Sequence, residues 1–122
     1  MSAPPGKGAT VEDWARYIWS LGPHFTLGPG ARDLAESMHA TFCNASAYWH
    51  GEAKAMSDLR LRRAVAHDMD GAEAAERSVA YPCLKAVLFD GAVRGLEQAL
   101  ARDDAERDRR GQGTLFDGEA AS

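Results

Sequence analysis

The sequence contains no uninterrupted apolar run of about twenty residues, so it predicts no membrane-spanning helix. Its N-terminal stretch, Met1 to Ala9, lacks the apolar segment of a signal peptide, and we expect a flexible leader on a cytoplasmic protein. Only two cysteines occur, Cys43 and Cys83, and both lie in segments with helical apolar periodicity. Without an export signal, this pattern favours reduced core residues over the alternative, a disulfide.

The chain also lacks an excess of basic residues. Fourteen Lys and Arg oppose eighteen Asp and Glu, which leaves a formal net charge of −4 over 122 residues. Proteins that bind nucleic acid by neutralising phosphates usually carry a basic excess, so direct DNA binding by the whole domain is disfavoured. A local basic patch remains at Arg60, Arg62 and Arg63.

Strand-like alternation of polar and apolar residues is absent, and the apolar periodicity is helical almost throughout. Hydrophobic residues make up 45% of the chain, which is enough for one small core. The sequence therefore predicts an all-α protein, a small antiparallel bundle of about four helices. We expect a flexible leader at residues 1–9, the helical bundle at 10–110 and a disordered tail at 111–122.

The first predicted helix has clear start and stop signals. Thr10 can cap its free amides. Gly22 and Pro23 end it, because glycine accepts a left-handed conformation and proline cannot continue the hydrogen-bond ladder. Trp19 is an expected surface residue and a candidate contact for a partner. The apolar stripe between these ends consists of Val11, Trp14, Ile18 and Leu21.

A long second helix is predicted from about Ala31 to Val65 or Ala66, with Asp68–Gly71 as the turn after it. The loop before it contains Phe25 and Leu27 and should pack across the end of the bundle. Gly51 weakens this helix locally and marks a candidate bend. The expected core face recurs at steps of three, four or seven residues: Leu34, Met38, Phe42, Ala45, Trp49, Met56 and Leu59.

Pro82 is predicted to stop or kink a third helix that starts at Ala72, because proline lacks an amide donor and clashes with the preceding turn. A further helix then begins at Pro82, and at Asp90 it either continues or breaks. Gly91 and Gly95 lie one turn apart, so another helix is expected to approach closely there. The expected buried face of this region is Leu84, Val87, Leu88, Val93, Leu96 and Leu100.

Near the C-terminus, the segment Gln112-Gly113-Thr114-Leu115-Phe116 follows a run of charged residues. The apolar stripe has ended by then, and an apolar pair on a polar tail usually has a partner's pocket as its destination. Burial of the two side chains would yield roughly 1.5–3 kcal/mol each. The entropy cost of ordering a short peptide offsets much of this free energy, so we expect micromolar affinity.

The spacing Gln-x-x-Leu-Phe resembles the short peptide by which bacterial polymerases, repair proteins and replication factors bind the β sliding clamp. The resemblance implies that Gln112 hydrogen-bonds at the upstream part of the clamp's groove and that Leu115 and Phe116 fill its hydrophobic pocket. Gly113 and Thr114 would be spacers with backbone contacts. The commonest form of the motif has leucine at the position of Gly113, so weaker binding is implied, because glycine loses more conformational entropy.

The functional hypothesis is a non-enzymatic adaptor or modulator of DNA replication or repair, with no cofactor and no catalytic residue assigned. Its small size and single recognisable peptide fit an accessory or phage-encoded modulator. The helical body resembles no family. Two alternatives for the tail stay open, which are docking on another partner and packing onto the bundle itself. In the second case the protein as a whole would be a helical interaction or dimerisation module with an incidental tail.

A second alternative is enzymatic. The pair His67-Asp68, with His39 upstream and Asp103 or Asp104 downstream, resembles the metal site of HD-type phosphohydrolases. The resemblance implies a divalent metal that activates water against a phosphate ester. A zinc site on His39 and Cys43, four residues apart, would need a second closely spaced pair of ligands, which the sequence does not offer.

Overall fold

The computed structural model describes the backbone of residues 4–121 and the side chains of residues 4–110. This part of the chain contains three α-helices, α1 at Val11–Leu21, α2 at Arg32–Val65 and α3 at Met69–Ala121, with a single 3₁₀ turn at Gly22–His24. The all-α prediction is confirmed, although three helices replace the expected four. Within the described residues, no helix combines the length and the hydropathy that spanning a membrane requires.

The helix α1 begins and ends where its sequence predicts. The Thr10 hydroxyl accepts the backbone N–H of Asp13 at 3.1 Å, and the Asp13 carboxylate accepts the N–H of Thr10 at 3.0 Å. These reciprocal bonds satisfy two amides at the helix start, and the bond that the Thr10 N–H donates to the carboxylate lowers the pKa of Asp13. At the other end Gly22 has a φ of 53°, a conformation in which a side chain would be strained.

The helices α2 and α3 form an antiparallel hairpin that turns at residues 66–68. The Asp68 carboxylate accepts the N–H of Gly71 at 3.0 Å, so Asp68 caps α3. The predicted turn at Asp68–Gly71 was therefore placed too late, because Met69 to Gly71 already belong to the helix. Arg63 donates to the Gly71 carbonyl at 3.1 Å, which commits this member of the basic patch to the turn.

The helix α3 runs through both of its predicted interruptions. The predicted stop at Pro82 was wrong, and at Asp90 the continuous helix is the alternative that forms. Pro82 is itself buried, as is Ala86 one turn later, so packing offsets the hydrogen bond that proline cannot make. Gly51 likewise lies inside α2.

The core lies where α1 rests on the hairpin. Ile18 of α1, Phe42 of α2 and Leu96 of α3 are its largest fully buried side chains. Phe25 and Leu27 of the α1–α2 loop pack against it, as predicted. The whole core cluster is Ala15, Ile18, Ala35, Phe42, Leu88, Phe89, Ala92 and Leu96.

The two glycines of α3 allow α1 to approach closely, which confirms the prediction from their spacing. A Cβ at Gly95 would lie 2.9 Å from the Cγ2 of Ile18, and the Trp19 ring covers Gly91. Earlier along α1, Glu12 pairs with Lys85. Both helices therefore advance in the same direction, and α1 is parallel to α3.

Four residues assigned to apolar stripes are instead exposed: Val11, Leu34, Leu84 and Val87. The side of α2 that carries Ala35 and Phe42 faces inward, which leaves Leu34 at its edge. On α3 the buried stripe is formed by Leu88, Ala92 and Leu96. Apolar residues lie on more than one face of α3, so helical periodicity alone could not indicate which of them is buried.

Candidate functional site

The predicted clamp-binding peptide, Gln112 to Phe116, lies outside the residues whose side chains the structure describes, and its role stays a prediction. The segment that leads to it is described. Residues 104–110 are exposed, so the peptide follows a solvated and highly charged stretch of α3. Two ion pairs between residues four apart lie along it, Asp103–Arg107 at 3.2 Å and Glu106–Arg110 at 2.5 Å.

Just before this stretch, α3 is tied to the rest of the bundle. Arg32, at the start of α2, contacts Asp103 at 2.9 Å and Asp104 at 2.6 Å. These carboxylates raise the pKa of Arg32 above its ordinary value. Arg102 donates to the Phe25 carbonyl in the α1–α2 loop. These contacts anchor α3 to the bundle where the exposed stretch begins.

A shallow cleft of about 270 Å³ lies between the α1–α2 loop and the late part of α3. Thr26 and Leu27 line one wall, and Ala99, Ala105 and Arg109 contribute to the other. Arg109 is three residues before Gln112, so this groove is within reach of the C-terminal peptide. It gives the self-packing alternative a definite location on the bundle.

A row of polar contacts joins α2 to α3, and sequence reasoning missed it. His39 Nε2 lies 3.3 Å from Glu97 Oε1. The Ser46 hydroxyl donates to Asp90, and His50 Nε2 lies 2.8 Å from the other oxygen of Asp90. We call these five residues the polar ladder. Its signal in the sequence is the spacing of seven and four residues on α2, which places three polar side chains on one face.

The polar ladder keeps Asp90 charged. Partial burial raises the pKa of this carboxyl, but the hydrogen bonds from Ser46 and His50 and the nearby charge of Arg94 outweigh burial. The pKa of Asp90 is therefore held below its ordinary value of 3.8. At neutral pH the carboxylate is a charged acceptor that fastens α2 to α3.

The order of groups in the polar ladder differs from that of a nucleophilic triad. In a triad the imidazole lies between the hydroxyl and the carboxylate. Here Asp90 lies between Ser46 and His50, so the hydroxyl bonds to the carboxylate instead of the imidazole. Cys43 Sγ is 3.9 Å from both ring nitrogens of His39, a long contact even for sulfur. The arrangement is suited to holding α2 against α3.

The structure does not bring the HD-type ligand set together. His67 and Asp68 form the hairpin turn, whereas Asp103 lies at the opposite end, beside the start of α2. Because α3 is continuous and rises about 1.5 Å per residue, Asp68 and Asp103 are about 50 Å apart. His39 lies towards the Asp103 end. Among the described residues, no three His, Cys, Asp or Glu side chains could share a metal ion.

Both cysteines are free and exposed, so their predicted place in the core was wrong. Cys43 follows the buried Phe42, and Cys83 follows the buried Pro82. One residue along a helix turns the side chain by about 100°, which carries each thiol from the buried side to the surface.

Comparison with known protein families, curated proteins and solved structures finds no match for this chain. The proposals for its function therefore depend on its own residues.

Three apolar side chains form an exposed patch on the outer side of α3. Leu84 is 70% exposed, and Val87 and Trp19 are each 53% exposed, which confirms that Trp19 is a surface residue. Leu84, Val87 and Gly91 are spaced by three and four residues and share one stripe, at whose end the Trp19 ring covers Gly91. We call Trp19, Leu84 and Val87 the α3 patch. Grouped apolar side chains of this kind are typical of protein–protein contacts.

Proposed function

We propose that this protein is a non-enzymatic helical adaptor or modulator of DNA replication or repair that docks on the bacterial β sliding clamp through residues 112–116. The observation that carries the proposal is the Gln-x-x-Leu-Phe spacing directly after the exposed residues 104–110. A peptide that follows a solvated segment can enter a partner's groove without rearranging the core. Binding then costs the bundle no stability.

Each residue of the peptide has a role in this proposal. Leu115 and Phe116 supply the apolar burial, and Gln112 supplies a directional hydrogen bond at the other end of the peptide. Gly113 increases the entropy lost on ordering, so the affinity should be micromolar. Such a ligand exchanges readily at a shared site. It recruits whatever the bundle carries, and it excludes competitors for the same pocket simply by occupying it.

Calorimetric titration of the full chain into a purified bacterial β clamp tests the proposal. We expect a dissociation constant of about 1–100 μM for the wild type, and a loss of at least about tenfold in Leu115→Ala/Phe116→Ala, because the double variant removes the apolar burial. The matched control is Leu61→Ala/Val65→Ala. These two side chains are also one turn apart and are 60% and 73% exposed on α2, and their loss should leave clamp binding unchanged.

A chain that ends at Arg110 separates clamp docking from self-packing in the cleft. Docking predicts that this truncation abolishes clamp binding and leaves the free energy of unfolding unchanged within about 0.5 kcal/mol. Self-packing of Leu115 and Phe116 predicts a clear loss of stability instead. Absence of wild-type binding to clamps from several bacterial groups would overturn the proposal.

A further inference from the structure

The α3 patch lies beyond the reach of Leu115 and Phe116 of the same molecule. Leu84 precedes Arg110 by 26 residues, which corresponds to about 40 Å along α3. Leu115 is only five residues beyond Arg110, and even a fully extended chain of that length spans no more than about 18 Å. The C-terminal peptide of the same molecule therefore cannot cover Leu84 and Val87.

The leader does not cover the patch either. Residues 5–9 lie against a different face of α1, where they line a depression together with Asp13, Arg16, Tyr17 and Ser20. Trp19 is not among the residues of that depression. Residues 4–110 therefore leave the patch uncovered.

Charges at the two ends of the patch indicate which molecule fits. Glu76 and Arg94 are both exposed and are 18 residues apart, which is five full turns, so they share one face of α3. Along the helix axis their midpoint is at the level of Lys85, between Leu84 and Val87. Lys85 itself is on the opposite side of α3, where it pairs with Glu12. At the end near Glu76, the exposed Glu73 and Arg77 pair with each other, which leaves Glu76 as the net charge. The face therefore has an acidic end, an apolar middle and a basic end. Two copies of such a surface are complementary when they face each other with their helices running in opposite directions.

We propose that a second copy of this chain packs on the α3 patch, with the two α3 helices antiparallel about a twofold axis between Leu84 and Val87. In this register Leu84 meets Val87 of the second copy on both sides of the axis. Glu76 meets Arg94 of the second copy, also twice. Trp19, above Gly91, meets the small exposed side chain of Ala80. A twofold axis makes the interface closed, so pairing stops at the dimer.

This interface goes beyond the proposed clamp docking and does not depend on it. It uses α1 and the middle of α3, whereas the peptide follows Arg110. The oligomeric state can be measured without any clamp present, so failure of either proposal leaves the other standing.

Sedimentation velocity of the full chain over a range of concentrations tests the pairing. We expect a wild-type dimer with a dissociation constant of about 100 μM or below. Leu84→Glu should raise this constant at least about a hundredfold, because it puts two charges at an apolar contact close to the axis. Leu61→Glu is the matched control, since it adds the same charge at an exposed leucine of α2 outside the patch, and it should pair like the wild type. Far-ultraviolet circular dichroism checks that each variant keeps its helices.

Charge reversal tests the antiparallel register itself. Glu76→Arg and Arg94→Glu should each raise the dissociation constant about tenfold, because each creates two like-charge contacts. The double variant Glu76→Arg/Arg94→Glu restores both pairs and should return to within about threefold of the wild type. A wild type that stays monomeric at about 500 μM, a Leu84→Glu variant that still dimerises, or a double variant without rescue would each overturn the proposal.

Discussion

At the scale of single residues, the same residue type has opposite roles in the two long helices. Gly95 lies under Ile18, which is fully buried and has no room to move away. Gly51 has no atom within 4 Å of the position that a Cβ would take. The first glycine is needed for helix packing, whereas the second only lowers the intrinsic stability of α2.

Alanine at these two positions should therefore change the free energy of unfolding in opposite directions. Gly95→Ala should lower it by about 1–3 kcal/mol, because the new methyl overpacks against Ile18. Gly51→Ala should raise it by about 0.5–1 kcal/mol through helix propensity. Urea unfolding followed by circular dichroism measures both. Equal effects of the two substitutions would contradict the close approach of α1 and α3.

The polar ladder makes stability depend on pH through Asp90. Its folded-state pKa lies below the ordinary value of 3.8, so its contribution is fully present above that pH. The contribution is lost as the pH falls below 3.8 through the lowered pKa.

Ser46→Ala removes one hydrogen bond that favours the charged form of Asp90. We expect the pKa of Asp90 to rise towards 3.8 and the loss of stability in acid to become smaller. Carboxyl titration by nuclear magnetic resonance measures the pKa. Ser78→Ala is the control, since that hydroxyl bonds only to the Ala74 carbonyl of its own helix and should leave Asp90 unchanged. An unaltered pKa in Ser46→Ala would contradict the role of the ladder.

At the scale of helices, the role of Asp68 in the α2–α3 turn requires no metal. His67 has a φ of 62°, which reverses the chain, and the Asp68 carboxylate then caps α3. A cap needs an acceptor oxygen, whereas a metal ligand of the HD type needs a carboxylate charge.

The two possible roles of Asp68 predict different stabilities for its alanine and asparagine variants. As a cap, Asp68→Ala should lower the free energy of unfolding by about 1 kcal/mol, and Asp68→Asn should be close to the wild type, because asparagine caps equally well. Urea unfolding in the presence and absence of Mn²⁺ measures both variants. If asparagine were as damaging as alanine and stability required the metal, the carboxylate would be a ligand.

At the scale of the whole molecule, the proposed dimer and the proposed clamp peptide have a joint consequence. Along α3 the twofold axis is at the level of Lys85, and Arg110 is 25 residues further along the helix. In an antiparallel pair the two Arg110 residues would therefore lie about 75 Å apart, at opposite ends of the assembly. The two peptides of a dimer strengthen each other's binding only if their separation matches the distance between two binding sites on the clamp. Any gain in affinity by avidity therefore depends on this distance of about 75 Å.

Features that depend on residues close together in the chain were predicted from the sequence, whereas features that depend on distant residues were not. The cap at Thr10 and the stop at Gly22 were predicted correctly, because each depends on atoms within one helical turn. The close approach at Gly95 was also predicted, because only glycine has no Cβ. The exposure of Leu84 was not, since that depends on how α1 and α2 are placed around α3.

The sequence by itself determined that the chain is helical, where α1 and α2 begin and end, and where its one recognisable peptide lies, since these are local patterns. Only the tertiary structure decided that α3 continues through Pro82, that Asp90 joins Ser46 to His50, and that Leu84 and Val87 stay exposed. Each of these outcomes depends on contacts between residues far apart in the chain. Such contacts can offset a missing hydrogen bond and select one apolar face over another, and local periodicity does not report on them.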